Sequence, residues 1–389
     1  MRSARPPGLG AAVAACVLSA SPALAADPAW KLKAVYTADV VGAVAGDAVH
    51  AGRLLDNLDL KLDGDLEKAA GWRGASLHVY VLNNSGGRPN EFIGTLQGVD
   101  NIEVKHARLR LFELWIEQRF AGDLASVRAG LYDLSSEFYT MKAAQLLLAP
   151  QFGTGSEFAA TGPNGPSIFP ATSLAVRLKA GRKTGAYVQA AVLGARAGTL
   201  NELNHLSLGL DDGAIVIAEG GVQGRRRLAL GAWAYTRSQP ELQAKGADGA
   251  PERATPYGAY LVSEDTLWRS GSDRKLAAFF SAGVSDGRTT PFTGGWQAGL
   301  WAQGVARGRP KSAASIGLQQ AFVSDQGRRS VRAGGGAPAT AESGLEITYA
   351  DTFGRLSIQP DLQLIRHPGG DRSRDLALVA ALRFILVLH

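Results

Sequence analysis

Apolar and polar residues alternate along most of this chain. Leu58, Leu60 and Leu62 are interleaved with Asp59, Lys61 and Asp63, and Leu77, Val79 and Val81 with Ser76, His78 and Tyr80. Leu174, Val176 and Leu178 alternate with Ser173, Arg177 and Lys179; Leu356, Ile358, Leu362 and Leu364 alternate with Ser357, Gln359, Asp361 and Gln363. Successive side chains of a strand point to opposite faces, so each segment predicts a strand with one apolar and one polar face. About sixteen such segments of roughly 9–15 residues follow one another. That length suits strands that cross a bilayer better than the roughly 5–6 residues of an average soluble strand.

The connections carry a second rhythm. Short ones fall near 121–123, 181–183, 223–226, 269–274, 307–311 and 351–354. Long ones fall near 85–106, 139–171, 196–212, 238–255, 324–341 and 367–375. Transmembrane barrels alternate short periplasmic turns with longer external loops, whereas a soluble sandwich has no reason to. No repeat or linker divides the chain, so one domain is expected. In the last segment, 375–389, Leu376, Leu378, Ala380, Leu382, Phe384, Leu386 and Leu388 form one unbroken apolar face. This resembles the barrel-assembly signal that ends outer-membrane proteins, although the chain finishes on Leu388-His389 and not on an aromatic residue.

The N-terminus changes the compartment. Arg2 and Arg5 precede a small-residue apolar run over 8–20, and Ala23-Leu24-Ala25 fits a small-x-small cleavage site. Residues 1–25 read as a secretory signal and 26–389 as the barrel. Val13-Ala14-Ala15-Cys16 has the letters of a lipoprotein box, but Val17 and Leu18 carry the apolar run past the cysteine. Cys16 is the single cysteine and leaves with the signal, so the mature chain has no disulfide, no thiol nucleophile and no Cys-ligated metal. The formal charge of +6 becomes +4 without Arg2 and Arg5. Basic residues are scattered, with no basic and aromatic stripe of the kind nucleic acid requires. No run of eighteen apolar residues follows the signal, so export leaves the periplasm, secretion or the outer membrane as destinations.

The pieces LLDNLDLKLDGDLEKAAGWRG, LHVYVLNNSGG, LFELWIEQRF, VRAGLYDLSSEFY, NGPSIFPATS and IQPDLQLIRHPGG resemble, in this order, the carbohydrate-selective porin family (OprB type). The resemblance spans most of the mature chain and is strongest over 54–179. It implies an all-β fold, a 16-stranded antiparallel barrel in the outer membrane. It also implies passive uptake of sugars, and long loops folded inward to narrow the pore.

A closed sheet is the one sheet that satisfies all its backbone groups in lipid, and sixteen strands leave a wet lumen. A sugar-selective path then needs polar groups and aromatic platforms that bind weakly enough to let solute leave. Parity places Glu113, Trp115, Glu117 and Arg119 on the lumen face and Phe112, Leu114, Ile116 and Phe120 on the lipid face. By the same count Arg128 and Tyr132 face inward, with Val127, Ala129 and Leu131 toward lipid. Asp133 breaks the parity and marks a bulge or the rim. Arg177 and Lys179 face inward on the strand after the long loop, and Arg110 joins the candidate lining. The loop adds Glu157, Phe158, Asn164 and Phe169, the last as an anchor or a stacking platform; Trp115 and Trp233 are candidate sugar platforms, with an interfacial girdle the preferred place for Trp233.

Two other classes fit these residues less well. A barrel enzyme needs a nucleophile with a base and an orienting acid, but His50, His78, His106, His205, His367 and His389 stand isolated. Glu113 and Glu117, two acids on one strand face, read as lining in preference to a glycosidase pair. A sealed adhesion barrel or a soluble lectin-like sandwich would not conduct, and a general, unselective porin differs only in its lumen. No cofactor, metal or nucleic acid is expected. The expected partners are permeating sugars, outer-membrane lipid and the barrel-assembly machinery, with oligomeric state open.

Overall fold

A computed structural model of the chain describes residues 28–198, 200–202, 205–206 and 211–389. The signal reading of 1–25 lies outside the described residues, as does part of the 196–212 connection. The barrel strands are β1 (Trp30–Gly46), β2 (Gly52–Asp65), β3 (Ala75–Gly86), β4 (Arg108–Phe120), β5 (Ala125–Tyr132) and β6 (Ser173–Gly181). They continue through β7 (Gly185–Gly194), β8 (Ala214–Gln223), β9 (Arg226–Tyr235), β10 (Tyr257–Ser270) and β11 (Arg274–Ser285). The circuit ends with β12 (Phe292–Gln303), β13 (Ala313–Val323), β14 (Ala341–Phe353), β15 (Leu356–Arg366) and β16 (Leu376–Val387). Sixteen strands close into one barrel in sequence order. β1 pairs antiparallel with β16 from Val35↔Val387 to Gly46↔Ala377, which leaves no free edge in the wall.

The alternation of the sequence becomes the two faces of this wall. Leu54, Leu228, Leu230, Val284, Ile347 and Leu362 are exposed outward, while Asp39, Glu219, Gln297, Glu346 and Gln363 are buried on the inner face. One parity assignment is corrected. Phe112 is buried and packs against Tyr80 and Phe169, so it points into the lumen beside Glu113. The cause is a register shift between Tyr80 and Val81, which pair with Glu113 and Leu111. A bulge puts two residues of β4 opposite one step of β3 and flips the parity beyond it.

The two-ended rhythm of the connections also holds, with exceptions. Connections 47–51 and 286–291 lie at the long-loop end yet are short, and 66–74 at the short-turn end includes a helix, Leu66–Ala70.

The lumen is not simply wet. Residues 133–172 fold inside the barrel and bury Phe138, Tyr139, Leu147, Phe152 and Phe158 against Ile215, Ile217, Trp233, Tyr260 and Phe279 of the inner wall. Residues 87–107 bury Ile93, Val99 and Ile102 against Val41, Leu55, Ala377 and Val379. Trp233 is therefore buried beneath Phe158, 5.0 Å between ring centroids, and is not at an outer girdle. Glycines on the wall make room for the loop. A Cβ on Gly317 would come within 2.5 Å of the Phe152 ring, and one on Gly283 within 2.0 Å of a Glu157 carboxylate oxygen.

Candidate functional site

On the inner face of β4 to β6 the predicted charges meet. Cross-strand pairing sets Glu117 opposite Arg128 and Arg128 opposite Arg177. Arg128 reaches Glu117 at 3.1 Å and Arg177 reaches it at 2.8 Å. A further acid, Glu137, enters from the inward loop. It accepts from Arg177 Nε at 2.8 Å, from Lys179 at 3.2 Å and from the Tyr132 hydroxyl at 2.8 Å. Arg177 also donates to Ser126 Oγ at 2.6 Å, so a side chain only 1% exposed has every face matched. Burial pushes the Glu137 carboxyl up, but Arg128, Arg177 and Lys179 outweigh it and hold it below the usual range.

Trp115 is the aromatic element of this cluster. The His78 ring stacks on it at 4.9 Å and the Arg128 guanidinium lies 3.7 Å from its centroid. β3 carries His78 and β5 carries Arg128, one on each side of β4, so both ring faces are covered and its edge turns to the lumen. His78 Nδ1 lies 2.7 Å from Asp63 and its Nε2 lies 3.6 Å from Glu113. A cavity of about 400 Å³ opens onto Lys31, Asp63, Trp115, Glu117, Arg119 and Arg128 at the short-turn end. Its size and polar lining suit a small hydrophilic molecule.

The inward loop is held by wall carboxylates that accept from its backbone. Glu113 takes the Asp133 N–H at 3.1 Å, Glu219 that of Tyr139 at 3.0 Å and Glu264 that of Ala143 at 3.0 Å. Glu346 takes those of Leu148 and Ala149, the latter at 3.0 Å. Glu342 does the same for the other inward loop, at Leu96 (2.9 Å) and Gln97 (3.1 Å). Buried backbone donors need partners, and a carboxylate supplies a stronger one than a neutral acceptor. The loop thus crosses from β5 to β14, while the other inward loop packs against β1, β2 and β16, and the cavity beside β1–β5 lies toward the short-turn end.

The predicted residues divide accordingly. Glu113, Trp115, Glu117, Arg128, Tyr132, Arg177 and Lys179 come together. Arg110 faces inward but ties the loop end, donating to the Pro170 carbonyl at 2.6 Å. Asp133 follows the last residue of β5, where the chain turns inward, and caps the turn Leu134–Ser136 by accepting from Ser135 N–H at 2.9 Å. Glu157 is 1% exposed, bonded by the Tyr139 hydroxyl at 2.7 Å, and lines no open path. Asn164 clamps the neighbouring loop through Ala197, at 2.8 Å and 3.0 Å. Phe169 is an anchor against Phe112.

Sequence reasoning passed over Glu137, which stood in the quoted GLYDLSSEFY, and His78, set aside as isolated. It also missed Glu219, Glu264, Glu342 and Glu346. Their signal was available: each is an acid at a lumen parity position of a spanning strand, with Glu342 and Glu346 sharing β14. The letters G-x-S-x-G of a serine-hydrolase elbow occur as Gly283-Val284-Ser285-Asp286-Gly287. They end a strand and lead into another, and the Ser285 hydroxyl donates to the Phe292 carbonyl at 2.8 Å.

The fold and the charged, loop-narrowed lumen define an outer-membrane pore for small hydrophilic solutes. A family model described as carbohydrate-selective porin, OprB family, matches residues 50–387, and the chain belongs to that family. It is a porin through which carbohydrates diffuse passively across the outer membrane. Porin B of Pseudomonas aeruginosa is 22% identical over 91% of this chain and 86% of its own. The high-pH structure of Pseudomonas putida OprB superposes with a TM-score of 0.81 at 20% identity, over 92% of this chain and 94% of that one. The outer-membrane channel DcaP of Acinetobacter baumannii follows at a TM-score of 0.55 and 9% identity, over 92% and 97%.

Proposed function

We propose that sugars are selected along the inner face of β4 to β6, beside the cavity at the short-turn end. There Glu117, Glu137, Arg128, Arg177 and Lys179 form a locked charge lattice. The observation that carries this is the mutual saturation of the lattice. Each guanidinium and carboxylate already has an ion-pair partner, and three cations on two carboxylates leave a net charge of only +1, so the lattice presents mostly paired polar edges. A neutral polyhydroxyl solute can exchange water for such edges, whereas an ion gains little and a tight binder would stall flux. Trp115 acts through its edge, and Arg110, Asp133, Glu157 and Asn164 act as loop supports.

The leader 1–25 is removed on export. Residues 26–389 form the unit that the barrel-assembly machinery inserts and that lipid surrounds. No covalent step on solute takes place.

The test is liposome swelling with neutral sugars and amino acids of equal size. Neutral sugars enter faster through the native protein. Arg128→Ala uncovers one face of Trp115, leaves Glu117 with Arg177 as its remaining cation, and cuts the preference by roughly tenfold or less, as expected for one or two weak contacts. Equal entry of all solutes of one size would leave a general porin.

A further inference from the structure

The short-turn mouth carries a feature that neutral sugars do not require. Around the turns that join β6 to β15, counted with two residues on either side, stand twelve Lys and Arg against one Asp. The mature chain as a whole is only +4, so positive charge is concentrated at this end. Some of it is paired: Arg226 with Asp265 at 2.7 Å, Arg227 with Glu219 at 2.9 Å and Arg309 with Asp351 at 2.7 Å.

Three cations there are different. Arg225, Arg269 and Lys275 line one cavity of about 540 Å³ with Gly224 and Thr266, and no acid lines it. Among the described residues none of the three has an ion-pair partner. Arg225 donates to the Thr266 carbonyl at a long 3.5 Å, and Lys275 lies 5.3 Å from the Trp301 ring centroid.

The backbone is shaped to bring them together. In unbroken alternation Thr266 points inward, and Arg269, three residues on, would face lipid. A register shift between Thr266 and Trp268 prevents this, so that Leu267 and Trp268 are both exposed outward, at 51% and 50%. Arg269 then pairs directly with Lys275 and shares its face. Bulges re-aim side chains in this way. One sign of charge in a recess with low-dielectric walls concentrates counter-ions.

We propose that Arg225, Arg269 and Lys275 form an anion-binding station in the periplasmic mouth, which takes carboxylated or phosphorylated sugars and widens the permeating class to acidic saccharides. The inference rests on the reading of the barrel as a sugar pore, and neutral solute passes the station without using it. Thr266 adds a hydroxyl, and the cavity is large enough for one sugar with its acid group.

The test uses the full mature chain in planar bilayers and liposomes of zwitterionic phosphatidylcholine, native and as Arg225→Gln/Arg269→Gln/Lys275→Gln. Reversal potential in a potassium chloride gradient reports the chloride-to-potassium permeability ratio. Swelling reports gluconate against glucose, two solutes of nearly equal size. The native protein is expected to favour chloride. The triple variant is expected to lose roughly threefold or more of that ratio and to slow gluconate, with glucose entry unchanged as proof of intact folding. An unchanged ratio in the variant, or equal slowing of gluconate and glucose, overturns the station. An effect seen only after phosphatidylglycerol is added assigns the cations to lipid headgroups and overturns it too. Native protein that admits no glucose would refute the sugar-pore reading itself, while the reversal potential would still report on the station.

Discussion

Arg177 shows how a charge can be buried in this pore. Its guanidinium meets Glu117, Glu137 and Ser126, and nothing is left over for water. Removing one partner of a buried pair leaves the others uncompensated, typically at about 3–5 kcal/mol. Arg177→Met is therefore expected to lower the temperature at which the barrel unfolds in detergent, read by heat-modifiable migration on a gel. A migration shift no larger than that of a surface Arg→Met control would remove Arg177 from the lattice. The pH sign follows from Glu137, whose carboxyl is held below its usual value. Its contribution is present above the ordinary carboxylate range, near pH 4.5, and is lost as pH falls through the depressed value. Acid is expected to loosen this end of the loop.

At the scale of elements, the inward loop is what turns a barrel into a filter. Glu219 is its central pin. Its carboxylate takes Tyr139 N–H together with the hydroxyls of Tyr187 (2.7 Å) and Tyr260 (2.9 Å), and Arg227 at 2.9 Å. Gln189 Nε2 is a fifth donor, at 3.1 Å, so Glu219→Ala takes the acceptor from five donors, at about 1–3 kcal/mol for each that stays dry. Single-channel conductance should rise as the loop lifts; conductance equal to native would show that Glu219 is not a pin. Glu157 gives the opposite pH sign from Glu137. Burial pushes its carboxyl up to about 7 despite the Tyr139 hydrogen bond, and its second oxygen has no partner among the described residues. A released loop would expose a Glu of ordinary pKa. The seat is thus firmest below that ordinary value and weakens as pH rises through about 7. Conductance is expected to climb between about pH 5 and about pH 8, and Glu157→Gln should flatten that climb. A native profile without the climb would break the link.

For the whole molecule the seam between β1 and β16 decides closure. Arg383 grips Asp39 at 2.6–3.0 Å and reaches Asn101 at 2.7 Å, so one side chain joins the first strand, the last strand and an inward loop. Arg383→Ala leaves Asp39 buried and unpaired, and is expected to cost about 3–5 kcal/mol, seen as early loss of the folded band on heating. Asp39→Asn in the same chain should restore part of it; no rescue would mean the pair is not what joins the seam.

The same three scales show what could be read from the letters. Leu58-Asp59-Leu60-Lys61 declares its two faces because strand parity is local. Ala214-Ile215-Val216-Ile217 does not: it is apolar on both faces, and only the structure shows that Ile215 and Ile217 serve a core inside the barrel. Phe112 was placed on the wrong face by parity alone, since a bulge depends on the neighbouring strand, and a second bulge of the same kind sets the face of Arg269. Glu117, Arg128 and Arg177 were legible as lumen charges, but their partner Glu137 was not, because it arrives on a loop.

The sequence by itself determined the barrel, the number of its strands and the sidedness of its connections. Those properties come from a period of two and from turn spacing, which any few neighbouring residues express. Which part of the bore stays open was decided only in three dimensions. The bonds that settle it join Tyr139 to Glu219 and Leu148 to Glu346, partners 80 and 198 residues apart. No local pattern encodes such a meeting; it exists once the closed wall brings its carboxylates within reach of the folded loop.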